Sequence, residues 1–305
     1  MNKGSSRKGR TSRKGHTSSR VPVVRAARLT WSLPVEMLLK RASTELWAWS
    51  AALHVRGSQQ GSFLQSTAWP HRLKRLSFDD SDFNQPIDGV VWPSSLQQLE
   101  FGYCFDQPVV GVVWPDFLHQ LSFGGSFNHP ITGVVWPTSL QHLSFGSMFN
   151  QPITGAAWPT SLQQLSFGDC FNHPIVGVVW PTSLQQLSFG SRFNHPIAGV
   201  VLPTSLQQLS FGSRFNQPIA GVAWPASLQQ MKLGRSFNQP IDGVVWPTSL
   251  QQLSFGDHFN QPITASAWPA SLQKLSFGVF FNQPITGIVW PATLQSITRG
   301  RVSLL

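Results

Sequence analysis

Phenylalanine recurs at 83, 105, 127, 149, 171, 193, 215, 237, 259 and 281, a spacing of 22 residues with no insertion or deletion. A period of this length means an array of stacked units, each too small to enclose a core alone. Counting that Phe as position 0, Pro holds positions 3 and 10 and Leu holds position 13 in all ten units. Position 16 is Leu except at Met231 and Ile297, position 18 is Phe except at Leu233 and Arg299, and position 9 is Trp except at Leu202. Most exceptions are apolar, which marks these as packing positions.

The local pattern says how a unit runs. "LQQLSFG" alternates, with Leu143 in, Ser144 out and Phe145 in, the two-residue period of a strand. "PITGVVW" is also extended and β-rich. Proline cannot donate to a ladder, so positions 3 and 10 are expected to be corners where coil-to-coil hydrogen bonding is interrupted. Two extended sides joined by two corners make a coil, and about ten such coils stack into a parallel, β-rich solenoid. Its core is a set of ladders: Phe at 0, Ile or Val at 4, Trp at 9, Leu at 13 and 16, Phe at 18. Each Trp needs an indole N–H partner, so the tryptophans are expected half-buried near a corner. Position 1 is Asn everywhere except Asp106, and an amide can bond its equivalent in the next coil or cap a turn. An ionised Asp106 cannot donate, which makes its unit the expected site of a local irregularity.

The ends differ from the array. Residues 1–75 carry 15 Lys or Arg and 2 acids, whereas residues 76–305 carry 7 and 10, so the formal +10 belongs to the N-terminus. Residues 1–28, with nine bases and no acid, read as a disordered basic arm. It could contact nucleic acid or an anionic surface, act as a nuclear signal, or be an inert tail. Residues 29–62 read as a short helical N-terminal cap, with Ser32-Leu33-Pro34 as a helix start. The solenoid then occupies 63–305, entered through an imperfect unit at Trp69-Pro70. At the far end Arg299 takes the place of the position-18 Phe, and the stack is expected to stop there.

Cys104 and Cys170 share position 21, three periods apart. Strands stack at about 4.8 Å, which separates them by roughly 14 Å and predicts free thiols. The lack of an Asn-x-Ser/Thr acceptor and of a signal-peptide core fits an intracellular protein, cytoplasmic or nuclear. No apolar run approaches the ~20 residues that span a bilayer. A soluble monomer is expected.

The stretch "LSFGSMFNQPITGAAWPTSLQQLSFG" resembles the FNIP repeat, a unit related to leucine-rich repeats, with Trp in place of the family's usual Leu before the second Pro. That resemblance implies a leucine-rich-repeat-like solenoid and, by analogy, protein binding. Such arrays accompany F-boxes in some family members, and "LPVEMLL" resembles an F-box opening, which would imply a substrate adaptor.

Catalysis needs unlike groups that converge, whereas stacking makes lines of like groups, so the chain reads as non-catalytic and no cofactor is implied. His129, His173 and His195 share position 2 and the last two are neighbours, a spacing a metal could use. Gln fills that position elsewhere, so a solvated polar corner is the better reading. The Thr line at position 11 (Thr138, Thr160, Thr182, Thr204) raises a purely structural or ice-facing solenoid, but Asp116, Ala226 and Ala270 interrupt it. The "QQ" pairs are nearly uniform. Variation gathers at positions 20 and 21, where Tyr103, Asp169, Arg192, Arg214, Arg235, Asp257 and His258 are the candidate partner-binding residues. Stacking would align Arg192, Arg214 and Arg235 as a basic stripe facing an unidentified protein.

Overall fold

A computed structural model describes residues 30–34, 51–56, 64, 68–78, 82–264 and 266–304. The basic arm at 1–28 and the F-box-like stretch beyond Pro34 lie outside them. Fourteen strands form one sheet in chain order. They are β1 (Thr30–Pro34), β2 (Ala52–Arg56), β3 (Arg75–Ser77), β4 (Gln98–Glu100), β5 (Gln120–Ser122), β6 (His142–Ser144) and β7 (Gln164–Ser166). There follow β8 (Gln186–Ser188), β9 (Gln208–Ser210), β10 (Gln230–Lys232), β11 (Gln252–Ser254), β12 (Lys274–Phe277), β13 (Ser296–Arg299) and β14 (Val302–Ser303). Every pairing is parallel until β14 folds back antiparallel on β13.

Each strand is short because the turn opened by Pro at position 10 closes only at the Leu of position 13, and Gly at position 19 follows the alternating stretch and begins the next corner. Position 16 points in and forms one ladder from Leu53 through Leu76 and Leu99 to Ile297, and the backbone register continues to Trp31 in β1. The expected helical cap is corrected here. Where residues 29–62 are described they are β1 and β2, so Ser32, Leu33 and Pro34 lie in a strand. The cause is tertiary: Leu53 and Val55 are buried in the same ladders as the later leucines and phenylalanines, and parallel pairing overrides the local helical spacing.

The coil has three corners, one more than the sequence suggested. The Phe at position 0 donates its N–H to the carbonyl of position 19, position 7 to position 4, and Leu at 13 to Pro at 10, as in Phe193 to Gly190, Val200 to Ile197 and Leu206 to Pro203. Pro at 10 therefore opens a turn, while Pro at 3 lies exposed on a side. Backbone bonds between coils are confined to the strand and the 20–21 corner among the described residues. Both prolines thus avoid the ladder, as expected, and "PITGVVW" is not a strand.

The core is a set of ring stacks. Position-0 rings lie 6.0–6.3 Å apart and position-18 rings 5.5–5.8 Å apart. Burying each such side chain contributes roughly 1.5–3 kcal/mol, and each has neighbours in the coil on either side. Trp92, Trp114, Trp136, Trp180 and Trp246 are only 6–7% exposed, and their indole N–H groups have no hydrogen-bond partner. Trp158, Trp224, Trp268 and Trp290 are half-buried as expected, but these five are not, and the expected N–H partner is missing at Trp158, Trp224 and Trp268 as well. Trp–Trp stacking at 6.1–6.4 Å and edge contacts such as Trp246 on Phe255 replace the missing bond with apolar and quadrupolar contact.

Spacing also sets curvature. Rings at positions 0 and 9 are farther apart than those just behind the sheet, and strands themselves repeat at about 4.8 Å. The strand face is therefore the concave one. Shallow depressions of about 340 and 270 Å³ lie over it, one floored by Gln120, His142, Gln164 and Gln186, the other by Gln186, Gln208, Gln230 and Lys232.

Candidate functional site

The 20–21 corner follows a line of close contacts. A Cβ on Gly190 would run into the carbonyl of Gly168, and the same holds at Gly146, Gly168, Gly212 and Gly256 with the glycine one coil back. This close approach allows a backbone bond from position 21 to position 20 of the preceding coil, as in Arg192 to Asp169 and Arg214 to Ser191, both 2.8 Å. The backbone is thereby fixed, and the side chains at these positions vary freely.

The predicted residues do line this edge, but they are not one uniform stripe. Arg192 and Arg214 occupy position 21, are exposed, and have no ion-pair partner among the described residues. Arg235 sits at position 20, and its Nε lies 3.1 Å from Asp257 Oδ2 in the next coil. That pair is 64% and 38% exposed, so water screens it and its net contribution is small. Asp169 accepts a 2.6 Å bond from the Ser191 hydroxyl. His258 meets the exposed Phe280 edge-on at 5.5 Å. Tyr103 is exposed in a distant coil, its ring packed beside Gly125, and is not brought to the arginines.

The concave face adds two residues that the sequence reading did not single out. Lys232 replaces the repeated Ser at position 17, and Lys274 replaces the repeated Gln at position 15; both are exposed. A depression of about 460 Å³ joins this face to the edge, with Lys232, Arg235, Asp257, Asp169 and Ser191 on its rim. The departures from Ser and Gln were the available signal.

The other lines have structural work. In His129, His173 and His195, Nε2 lies 3.0–3.1 Å from the position-1 carbonyl of the preceding coil. Gln at the same position donates its Nε2 hydrogen to the equivalent carbonyl. A carbonyl only accepts, so these histidines donate from Nε2, and His and Gln interchange because they supply the same donor. No group of three or more His, Cys, Asp or Glu suited to a metal occurs among the described residues. Position-12 serines donate to the position-13 carbonyl of the preceding coil, as in Ser183 to Leu162 at 2.7 Å. Asp106 does not disturb its coil: its Oδ1 accepts the Asn128 N–H at 3.0 Å, as Asn172 accepts that of Asn194. Only an acceptor is needed there.

Cys104 and Cys170 are free thiols, as their spacing required. The Thr line at position 11 is exposed, and beside it runs a line of position-8 valines 78–91% exposed, from Val91 to Val289. Both rows follow the curvature of the stack, which argues against a match to a planar ice lattice. No helix among the described residues is long and apolar enough to cross a membrane.

Short parallel strands on a concave face, laddered asparagines and a 22-residue coil define a leucine-rich-repeat-like solenoid. The chain belongs to the FNIP repeat family: the FNIP Repeat model matches residues 64–104 and then overlapping stretches from 105–148 to 259–300. Among solved structures it is similar to CroV588, a circular leucine-rich-repeat protein, with 35% identity and a TM-score of 0.63. That match covers 82% of this chain and 43% of the other, so this chain spans less than half of its relative's length. A weaker likeness is to a chain of the Drosophila Toll–Spatzle complex, at 11% identity and a TM-score of 0.48, covering 81% of this chain and 40% of that one. No curated protein matches.

Proposed function

We propose that this protein is a non-catalytic scaffold that binds another protein through the concave strand face and the adjoining 20–21 edge. One observation carries the reading: from Arg192 to Lys274 every Lys and Arg lies along this edge and the strands beside it, whereas the other exposed positions of those coils, 5, 8 and 11, hold Asp242 as their one charged residue. Leucine-rich-repeat-like solenoids offer a long concave surface suited to such contact. The test is proximity labelling in the native cell with the wild-type chain and with Arg192→Glu, Arg214→Glu and Arg235→Glu combined. A defined set of labelled proteins should disappear on charge reversal; an unchanged set would sink the reading.

The nine bases and no acid of residues 1–28 support a second contact, with nucleic acid or an anionic surface. Deleting the arm should remove salt-dependent binding to duplex DNA, measured by anisotropy, and leave the solenoid folded.

A further inference from the structure

Charge along the solenoid is segregated. Residues 76–191 contain eight acids and no Lys or Arg, whereas residues 192–305 contain seven Lys or Arg and two acids. The five bases between 192 and 274 are Arg192, Arg214, Lys232, Arg235 and Lys274, and all occupy positions 15, 17, 20 or 21. Exposed places are open at positions 5, 8 and 11, yet no base takes one in these coils. Of the two acids, Asp257 is paired with Arg235, and Asp242 lies at position 5, across the coil from the strand. From β8 to β12 the strand positions therefore carry Lys232 and Lys274 and no acid, and the adjoining edge carries Arg192, Arg214 and Arg235 against Asp257 alone, while the coils before it are acidic. Val279 and Phe280, each 58% exposed, stand beside β12 at its far end.

We propose that this basic concave tract takes an extended acidic peptide segment of a partner protein, with a bulky apolar residue beside the acids seated against Phe280. The proposal rests on the scaffold reading above and names the partner's chemistry. From β8 to β12 is four strand spacings, about 19 Å, which an extended segment of about six residues spans. Carboxylates meet Arg and Lys, and the Gln and Ser side chains between them supply donors and acceptors for the segment's backbone. An aromatic anchor supplies affinity that exposed charges alone do not. Nucleic acid fits less well. The tract's strand positions carry no exposed aromatic for successive bases to stack on, Phe280 being a single ring at its end, and Glu100 at position 17 and Asp169 at position 20 oppose a long polyanion that continues along the same face and edge.

The array supplies its own neutral replacements: Ser at positions 17, 20 and 21, and Gln at 15, as in Ser188, Ser191, Ser236 and Gln208. The test uses the full chain and a labelled peptide of six Glu and one Leu, read by fluorescence anisotropy at about 50 and about 200 mM salt. Arg192→Ser, Arg214→Ser, Lys232→Ser, Arg235→Ser and Lys274→Gln combined should weaken binding at least about tenfold, and Phe280→Ser alone about threefold or more. A control with Lys3, Arg7, Lys8, Arg10 and Arg13 all changed to Ser keeps the tract and removes as much charge; it should change binding by less than about threefold.

Equal binding by the wild type and the tract variant overturns the proposal, as does loss in the arm control alone. Tighter binding of an oligothymidylate of equal charge that is lost in the tract variant and kept in the arm control assigns the tract to nucleic acid and also overturns it. Partners lost on charge reversal, with peptide binding unchanged in the tract variant, would sink the acidic-segment proposal and leave the scaffold reading standing. The opposite pattern would sink the scaffold reading.

Discussion

Gly190 and Gly199 lie nine residues apart and are glycine for different physical reasons. At Gly199 φ is +77° and a Cβ would meet nothing, so an added methyl incurs only the left-handed backbone strain of about 1–2 kcal/mol. At Gly190 a Cβ would strike the backbone of Gly168 and Asp169, which cannot rotate away. Gly190→Ala should therefore cost more, on the order of 3 kcal/mol, and weaken the corner bonds of both adjoining coils. Urea midpoints of the two variants check the order; an equal or milder effect at Gly190 would contradict it. Residue-scale reading from the sequence worked where a side chain has one job. It failed for the tryptophan N–H groups, because stacking between coils outweighs the unmade bond. It failed for Asp106, because only the acceptor half of the Asn ladder is used.

Strands and corners are legible when their signal lies within one unit. The alternation of "LQQLSFG" located every strand from β4 to β12, and Arg299 marked the last parallel one. β1 and β2 were missed because their alternating pairs, Trp31 with Leu33 and Leu53 with Val55, flank a stretch with helical spacing. Their assignment comes from the neighbouring coil they pair with. Lys232 and Lys274 were missed for a related reason, since nothing local distinguishes a concave strand face from any other polar surface. At the C-terminal end, β14 covers the free edge of β13: Thr298 pairs Ser303, Arg299 pairs Val302, and the Leu304 N–H reaches the Ile297 carbonyl at 2.8 Å. Removing residues 301–305 should leave that edge unpaired and promote edge-to-edge association. Light scattering should then report a mass that rises with protein concentration, while the full chain stays constant; no difference would mean that β14 is dispensable for edge protection.

At the scale of the molecule, stability is a sum over coils and the interfaces between them, with few contacts beyond nearest neighbours. The 22-residue period is the unit in which the chain can be edited. Deleting residues 171–192 joins Cys170 to Phe193, restores Phe at position 0 and keeps every later ladder in register. The shortened chain should fold, keep the same strand signature by circular dichroism, and show a lower urea m-value because one coil's surface is no longer exposed on unfolding. Deleting 171–181 removes half a period. It sets Thr182 directly after Cys170, where position 0 needs a fully buried ring, and shifts the face of every residue up to the next repeat. That variant should lose cooperative unfolding, since a coil without its Phe and Trp opens the interfaces on both sides. If the half-period deletion were as stable as the whole-period one, the ladders would not be what holds the stack together.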